Sequence, residues 1–163
     1  MRIPFFNISA ALVENNKPLV SAIYSPITEE LFYAERNEGA FLNGKRIKVN
    51  DIEKLERSRL FYCVNRKYLD EFLHVFVKLR KKVLSLDRLR SAEIETAMVA
   101  CGRVEAFFYI GAKIWDVVSG ALIVKEARGK VTDFEGKEWN TTSKDFLASN
   151  GKIHKEIIEV VNQ

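Results

Sequence analysis

From Pro4 to Val49 the chain alternates apolar and polar positions in short runs: PFFNISAALV, PLVSAIYSP, EELFYAE and GAFLNGKRIKV. Turn-forming segments separate them, ENNKP at 14–18, SPITEE at 25–30, RNEG at 36–39 and Asn43-Gly44. A period of two over runs this short predicts strands whose successive side chains face opposite sides. Asn-Gly between two apolar runs predicts a hairpin, because both central residues of a type I′ turn need positive φ. Residues 1–50 are therefore expected to form an antiparallel meander.

After Asn50-Asp51 the rhythm lengthens. SRLFYCV at 58–64 reads as a buried strand, and Leu69, Phe72, Leu73, Phe76, Val77 and Leu79 recur at helical spacing over 67–82. A short strand near 83–86 is expected next, then a helix through AEIETAMVACG closed by Gly102, and a strand VEAFFYI. A helix from about 116 to 128 stopped by Gly129 follows, then strand KVTDF, a turn at Glu135-Gly136, strand FLASN and a final helix over about 151–161. Glycine at a helix end suits a left-handed cap. A meander followed by alternating strands and helices predicts a layered α+β or α/β sandwich. A single domain is expected, with a 1–50 sheet part, a 51–163 αβα part, and 50–57 as the one plausible internal boundary.

Composition bounds the partners. At 163 residues and 47% apolar content the chain can bury a substantial core. The formal charge is +4, with basic residues interleaved among 22 acidic ones, so no concentrated basic face for nucleic acid is expected. The densest basic run, KLRKK at 78–82, falls on a solvated helix face. No apolar run reaches the ~18 residues of a membrane span, and MRIPFF leads into strand-like sequence rather than a signal peptide. Cys63 and Cys101 lack metal-binding spacing and read as buried thiols of a reducing cytoplasm. Gln163 is the sole glutamine beside 29% charged residues, a balance that points to a thermophile.

Candidate chemistry gathers at AKIWDVVSGALIVKEA, residues 112–127. By position alone, Asp116 at a helix start would satisfy an unpaired backbone N–H and offset the helix dipole, for about 1 kcal/mol. His74 and His154 lie on helices far in sequence from any nucleophile, which gives a Ser-His-Asp or Cys-His arrangement no support. Asp70, Glu71, Glu93 and Glu95 read as helix-surface carboxylates.

Four stretches carry more. IWDVVSGALIVKEARGKVTD follows W-D-x-x-[SA]-G-x-x-[IL]-[VL]-x-E-A-G-G except that Arg128 stands at the first closing glycine, and GAFLNGKRIKV matches G-A-[FW]-x-N-G-x-x-[IL]. RSAEIETAMVACGRVEAFF matches G-[ST]-A-A…VA-x-G-x-[VA]-[DE]-[AG], and RIPFFNISAAL is similar to G-[IF]-P-x-[FV]-x-[VI]-S. In this order the chain resembles the later part of the inositol monophosphatase family of Mg²⁺-dependent phosphatases, which includes archaeal fructose bisphosphatases. The resemblance implies the sugar-phosphatase sandwich with its first helical layer missing, and phosphomonoester hydrolysis of inositol or sugar phosphates. It further implies Asp116 as a Mg²⁺ ligand and Ser91, Ala92, Lys113 and Tyr109 at substrate positions. Arg90 stands where the family has glycine, Glu93 replaces its second alanine and would set a charge against an anion, and Tyr109 replaces a glutamate of the inositol-specific members.

The family's other metal ligands, an upstream Glu and D-P-[IL]-D-G-T, would precede the strand at which this sequence starts. The internal TDFEG at 132–136 lacks the second Asp and reads as a turn. Since Mg²⁺ takes near-octahedral oxygen coordination, one carboxylate is too few to hold it. Three expectations follow. The chain is a phosphatase-family polypeptide whose active form needs residues that a separate chain supplies or that truncation has removed; or it is a non-catalytic protein that self-associates through an uncovered sheet face among Phe5, Phe6, Ile8, Leu12, Leu19, Ile23 and Phe32; or it binds small anions at 90–92 and Lys113.

Overall fold

The computed structural model describes residues 6–163. The first sheet is the expected meander: β1 (Ile8–Glu14), β2 (Lys17–Ser25), β3 (Glu30–Glu35), β4 (Gly39–Leu42) and β5 (Lys45–Ile47), each antiparallel to the next. Asn15 and Asn16 both take positive φ at the β1–β2 turn, and Asn43 and Gly44 both do so at β4–β5, the backbone that paired strands of natural twist require. Of the residues expected on the uncovered face, Phe5 lies outside the described residues. Ile23 and Phe32 are buried, so that expectation is corrected for both. The register explains it: Ile23 pairs with Phe32 and both point inward, while Tyr24 and Leu31, one step along, point out. Ile8 and Leu12 are exposed on the outward face as expected, with Phe6 exposed just before β1, and Val20, Tyr24 and Leu31 join them there.

The second sheet runs β7 (Ser85–Asp87), β6 (Arg59–Val64), β8 (Ala106–Ile110), β10 (Asp145–Ser149), β9 (Lys130–Thr132) in spatial order. β6 is parallel to β7 and β8, and the other pairs are antiparallel. α2 (Ala92–Ala100) and α3 (Ile114–Glu126) lie between the two sheets, and α1 (Leu69–Arg80) and α4 (His154–Val161) cover the far side of the second. β8 is buried at every position because it has helices on both faces: Phe107 and Tyr109 join the middle-layer core, and Ala106, Phe108 and Ile110 the outer one. The layers are thus sheet, helices, sheet, helices, an α+β sandwich.

Polar contacts tie the two parts together. The Asn50 side-chain amide donates to Glu105 Oε1 (2.7 Å) and to the Gly102 carbonyl (3.0 Å), and Asn150 donates to Asn50 Oδ1 (2.9 Å) and the Ile52 carbonyl (2.8 Å). The other Glu105 oxygen accepts from the Arg59 amide. At the end of α3, Glu126 accepts from the amides of Asn37 and Gly39, both at 2.9 Å, and so holds the β3–β4 turn. The cap beyond α3 also differs from expectation, since Arg128 takes the left-handed φ of 68° that was assigned to Gly129. Gly129 answers a different need, because a Cβ there would lie 2.6 Å from the Ser149 carbonyl oxygen.

His154 is the buried histidine of the outer core. One ring nitrogen meets the Ser149 hydroxyl at 2.7 Å and the other the Thr132 hydroxyl at 2.8 Å, with no carboxylate in the chain of contacts. Burial first, and the Lys130 charge second, push its pKa down to about 4. The folded ring is therefore neutral where the unfolded ring, near 6.5, takes up a proton. Stability from this site is complete above pH 6.5 and is lost as pH falls toward 4, by about 3 kcal/mol in all. His154→Gln keeps two hydrogen-bonding atoms without a titrating ring. Unfolding free energies of the two proteins from urea titrations, compared from pH 7 to pH 4, are expected to converge by that amount; a constant difference would refute the assignment.

Candidate functional site

Asp116 sits in the first turn of α3, two residues inside its start at Ile114. Its side chain does not cap the helix: Lys113 occupies the cap position and no side chain bonds there. Instead Asp116 Oδ2 accepts a hydrogen bond of 3.2 Å from the Tyr109 hydroxyl, which β8 presents from the sheet below. Burial raises the Tyr109 pKa above its ordinary value, and the neighbouring Cys63 and Asp116 add to the shift, so the phenol stays a proton donor. Burial likewise raises the Cys63 pKa despite Arg88 nearby, which leaves an inert thiol. Cys63 is buried as expected, while Cys101 is only partly so, and both are free.

Across from Asp116, Ser91 occupies the cap position of α2 without a side-chain capping bond. Its hydroxyl donates to Asn7 Oδ1 at 2.8 Å, not to its own helix. The turn before it places Arg90 at φ 68°, a left-handed backbone that a side chain adopts at a cost of about 1 kcal/mol or more. This is the physical reason for glycine in the matching family motif. Glu95 holds the turn in place: it accepts from the Leu89 amide, with the amides of Arg90 and Ser91 directed to it as well. Asn7, Arg90, Ser91, Ala92, Trp115 and Asp116 line one polar cleft of about 320 Å³, open to solvent, with Trp115 68% exposed at its edge. Lys113 is exposed at the start of α3 and is not among the lining residues. Asn7 was missed in the sequence because no pairing with Ser91 could be read across 84 positions.

Two carboxylates expected at the surface are not there, which corrects their reading. Glu93 is 4% exposed and Glu95 is wholly buried. α2 lies between two sheets and has almost no solvent face, so a charge on it must turn to the backbone for partners. Glu93 accepts from the amides of Ser119 (3.2 Å) and Gly120 (2.7 Å) in α3. Burial pushes its pKa up to about 7, against the lowering effect of those amides, and Asp116 pushes further in the same direction. The expected charge at the exposed end of α2 is thus turned inward, on a carboxyl that is about half protonated at neutral pH. Burial raises Glu95 to about 7 as well.

Does this cleft hold Mg²⁺ with its own residues? Asp116 is the one aspartate lining it, and one of its oxygens is taken up by Tyr109. Glu93, the other carboxylate there, is turned toward α3, and among the described residues no three His, Cys, Asp or Glu side chains gather where they could share an ion. The groups present do not fit a hard cation that takes about six oxygens.

A family model described as the inositol monophosphatase family matches residues 1–163. The chain belongs to the inositol monophosphatase family. Among curated family relatives, a fructose-1,6-bisphosphatase/inositol-1-monophosphatase of Thermotoga maritima is 40% identical over 163 residues, covering 99% of this chain and 62% of that protein. Nus factor SuhB of Escherichia coli K12 is 33% identical over 160 residues, covering 96% of this chain and 60% of its own length. Among solved structures, the extragenic suppressor protein suhB of Bartonella henselae superposes with a TM-score of 0.94 at 33% identity over 98% of this chain and 62% of that one. The Thermotoga maritima IMPase gives 0.89 at 39% identity, covering 98% of this chain and 62% of its own. The chain therefore spans about 62% of the length of its Thermotoga relative.

Proposed function

We propose that this chain forms one wall of a phosphomonoester hydrolase site and does not turn over substrate by itself. The observation that carries the reading is the cleft in which α3 presents Asp116 opposite the Ser91 start of α2, with Tyr109 donating to the carboxylate. Asp116 would serve as one metal ligand, Ser91 and Ala92 would face the substrate polyol, and Lys113 would approach its phosphate by a turn of its long side chain. Further carboxylates for Mg²⁺ come from outside these 163 residues, on a separate polypeptide or on a longer form of this one, and a cytoplasmic setting suits the two free thiols. The test is phosphate release from inositol monophosphate and fructose bisphosphate with Mg²⁺. The isolated chain is expected to give none above buffer, and addition of a polypeptide bearing D-P-[IL]-D-G-T is expected to restore hydrolysis that Asp116→Asn abolishes. Strong hydrolysis by the chain alone would overturn the proposal.

A second reading, a non-catalytic protein that self-associates, is favoured by one feature. Ile8, Leu12, Val20, Tyr24 and Leu31 make a continuous exposed apolar face on the first sheet, of a kind that is normally covered. Sedimentation at micromolar concentration is expected to show a dimer or larger species, with Leu12→Lys shifting it to monomer. A clean wild-type monomer would count against this reading.

A further inference from the structure

A second cleft lies at the other end of α3. Lys17 at the start of β2, Arg36 just beyond β3 and Lys125 in the last turn of α3 converge on it, although they come from three separate segments. Its volume is about 250 Å³, and Leu122 and Trp139 contribute apolar wall. Asp116 and Lys125 are nine residues apart on one helix, about 14 Å along its axis. The cleft is therefore separate from the Asp116 site and from the Ser91 helix start.

Three features mark it as built for negative charge. Of its lining residues three are cationic and one, Glu138, is anionic, which leaves an excess of two positive charges. Arg36 is fixed in place, since its Nε and Nη2 both donate to the Pro18 carbonyl, at 3.2 and 2.7 Å, and its guanidinium cannot fold away along the surface. Glu138 already behaves as a resident anion: Lys125 Nζ donates to its Oε1 at 2.8 Å, and that bond and the Lys125 charge, with a smaller contribution from Lys17, hold the carboxyl below its usual range. In addition, Trp139 is 5% exposed and its indole N–H has no hydrogen-bond partner among the described residues, an unusual state for a buried donor.

We infer that this cleft binds a small polyanion, a molecule with clustered phosphoryl or carboxylate oxygens, whose charge replaces the Glu138 carboxylate between Lys17, Arg36 and Lys125. Glu138 is exposed and held by a single lysine, so its side chain can swing out to solvent as the ligand enters. The ligand then gains Arg36 and the apolar wall, which the carboxylate does not use, in addition to Lys125 and Lys17. The inference stands whether or not the Asp116 cleft supports hydrolysis.

The chain has two tryptophans, Trp115 at the first cleft and Trp139 at this one, which gives a direct assay. In a Trp115→Phe background, Trp139 is the only indole, and its emission is followed while pyrophosphate or citrate is added at constant ionic strength. Saturable change with either probe is expected; response to pyrophosphate alone identifies phosphoryl oxygens, and response to citrate alone identifies carboxylates. Lys17→Ala is expected to weaken binding about tenfold, and Glu138→Gln, which removes the competing carboxylate, to tighten it by a similar factor. The opposite signs separate a binding site from a loss of structure, and circular dichroism of each variant confirms its fold. Absence of saturation with both probes, or an unchanged midpoint in both variants, would overturn the inference.

Discussion

Gly120→Ala is expected to destabilise the protein by about 2 kcal/mol, although the same exchange inside an exposed helix stabilises by about 1 kcal/mol. The reversal comes from how closely α2 and α3 approach. A Cβ at position 120 would lie 2.5 Å from Thr96 Cγ2, 2.6 Å from Thr96 Cβ and 2.9 Å from Glu93 Oε2. Thr96 cannot yield, because it is fully buried, β-branched, and held by a bond of 2.7 Å from its hydroxyl to the Ala92 carbonyl. The helices must separate, and the Gly120 amide then loses its short bond to Glu93. Chemical denaturation of wild type and variant decides the point; equal or higher stability of Gly120→Ala would show that the interface is loose. Since α3 carries Asp116 at one end and Lys125 at the other, the variant also tests whether both clefts depend on the same helix position.

The second large effect concerns pH. The Glu93 carboxyl titrates at about 7 in the folded protein against 4.5 for the unmodified group. Below pH 4.5 both states are protonated and the residue has no influence. Between 4.5 and 7 the folded state retains a proton that the unfolded state has released, so stability falls as pH rises. Above 7 the penalty is constant, about 3 kcal/mol, the cost of an ionised carboxylate in the middle layer. Glu95 adds a loss of the same sign, and His154 opposes both at pH below 6.5. Glu95 and His154 are common to wild type and variant, so the difference between Glu93→Gln and wild type isolates Glu93 across its whole range. That difference in unfolding free energy is expected to shift in favour of Glu93→Gln by about 3 kcal/mol from pH 4.5 to pH 7, and a constant difference would mean that Glu93 is ionised throughout.

These effects arise where the sequence misled. Glu93 and Glu95 look like surface residues because charged side chains on a helix usually mark its solvent face. α2 has no such face, and with Ala, Ile, Thr and Val around the remaining positions its composition gave no polar stripe to contradict the usual rule. The strand parity failed for a related reason. On β2 the buried face carries Ser21, Ile23 and Ser25 and the exposed face Val20, Ala22 and Tyr24, so alternation is clear but hydrophobicity points to the wrong side. A sheet with two apolar faces does not reveal which one the core occupies.

The meander, by contrast, was legible from period and turn chemistry, since Asn43-Gly44 requires a backbone that few other dipeptides adopt. The helix carrying Asp116 was legible from the W-D and E-A positions of its motif. The contact between Asp116 and Tyr109 was not, because they lie seven positions apart across strand, turn and helix and only the fold brings their oxygens to 3.2 Å.

The lattice of amides and carboxylate at Asn50, Glu105 and Asn150 has a mechanical consequence. A protease that cuts the exposed 51–54 segment severs the covalent link between the two sheets, but fragments remain clasped at the very point of the cut, with Asn50 bonded on one side and Asn150 on the other. Nicking there is expected to leave a two-piece molecule that sediments as one, with the meander not released as a free ribbon.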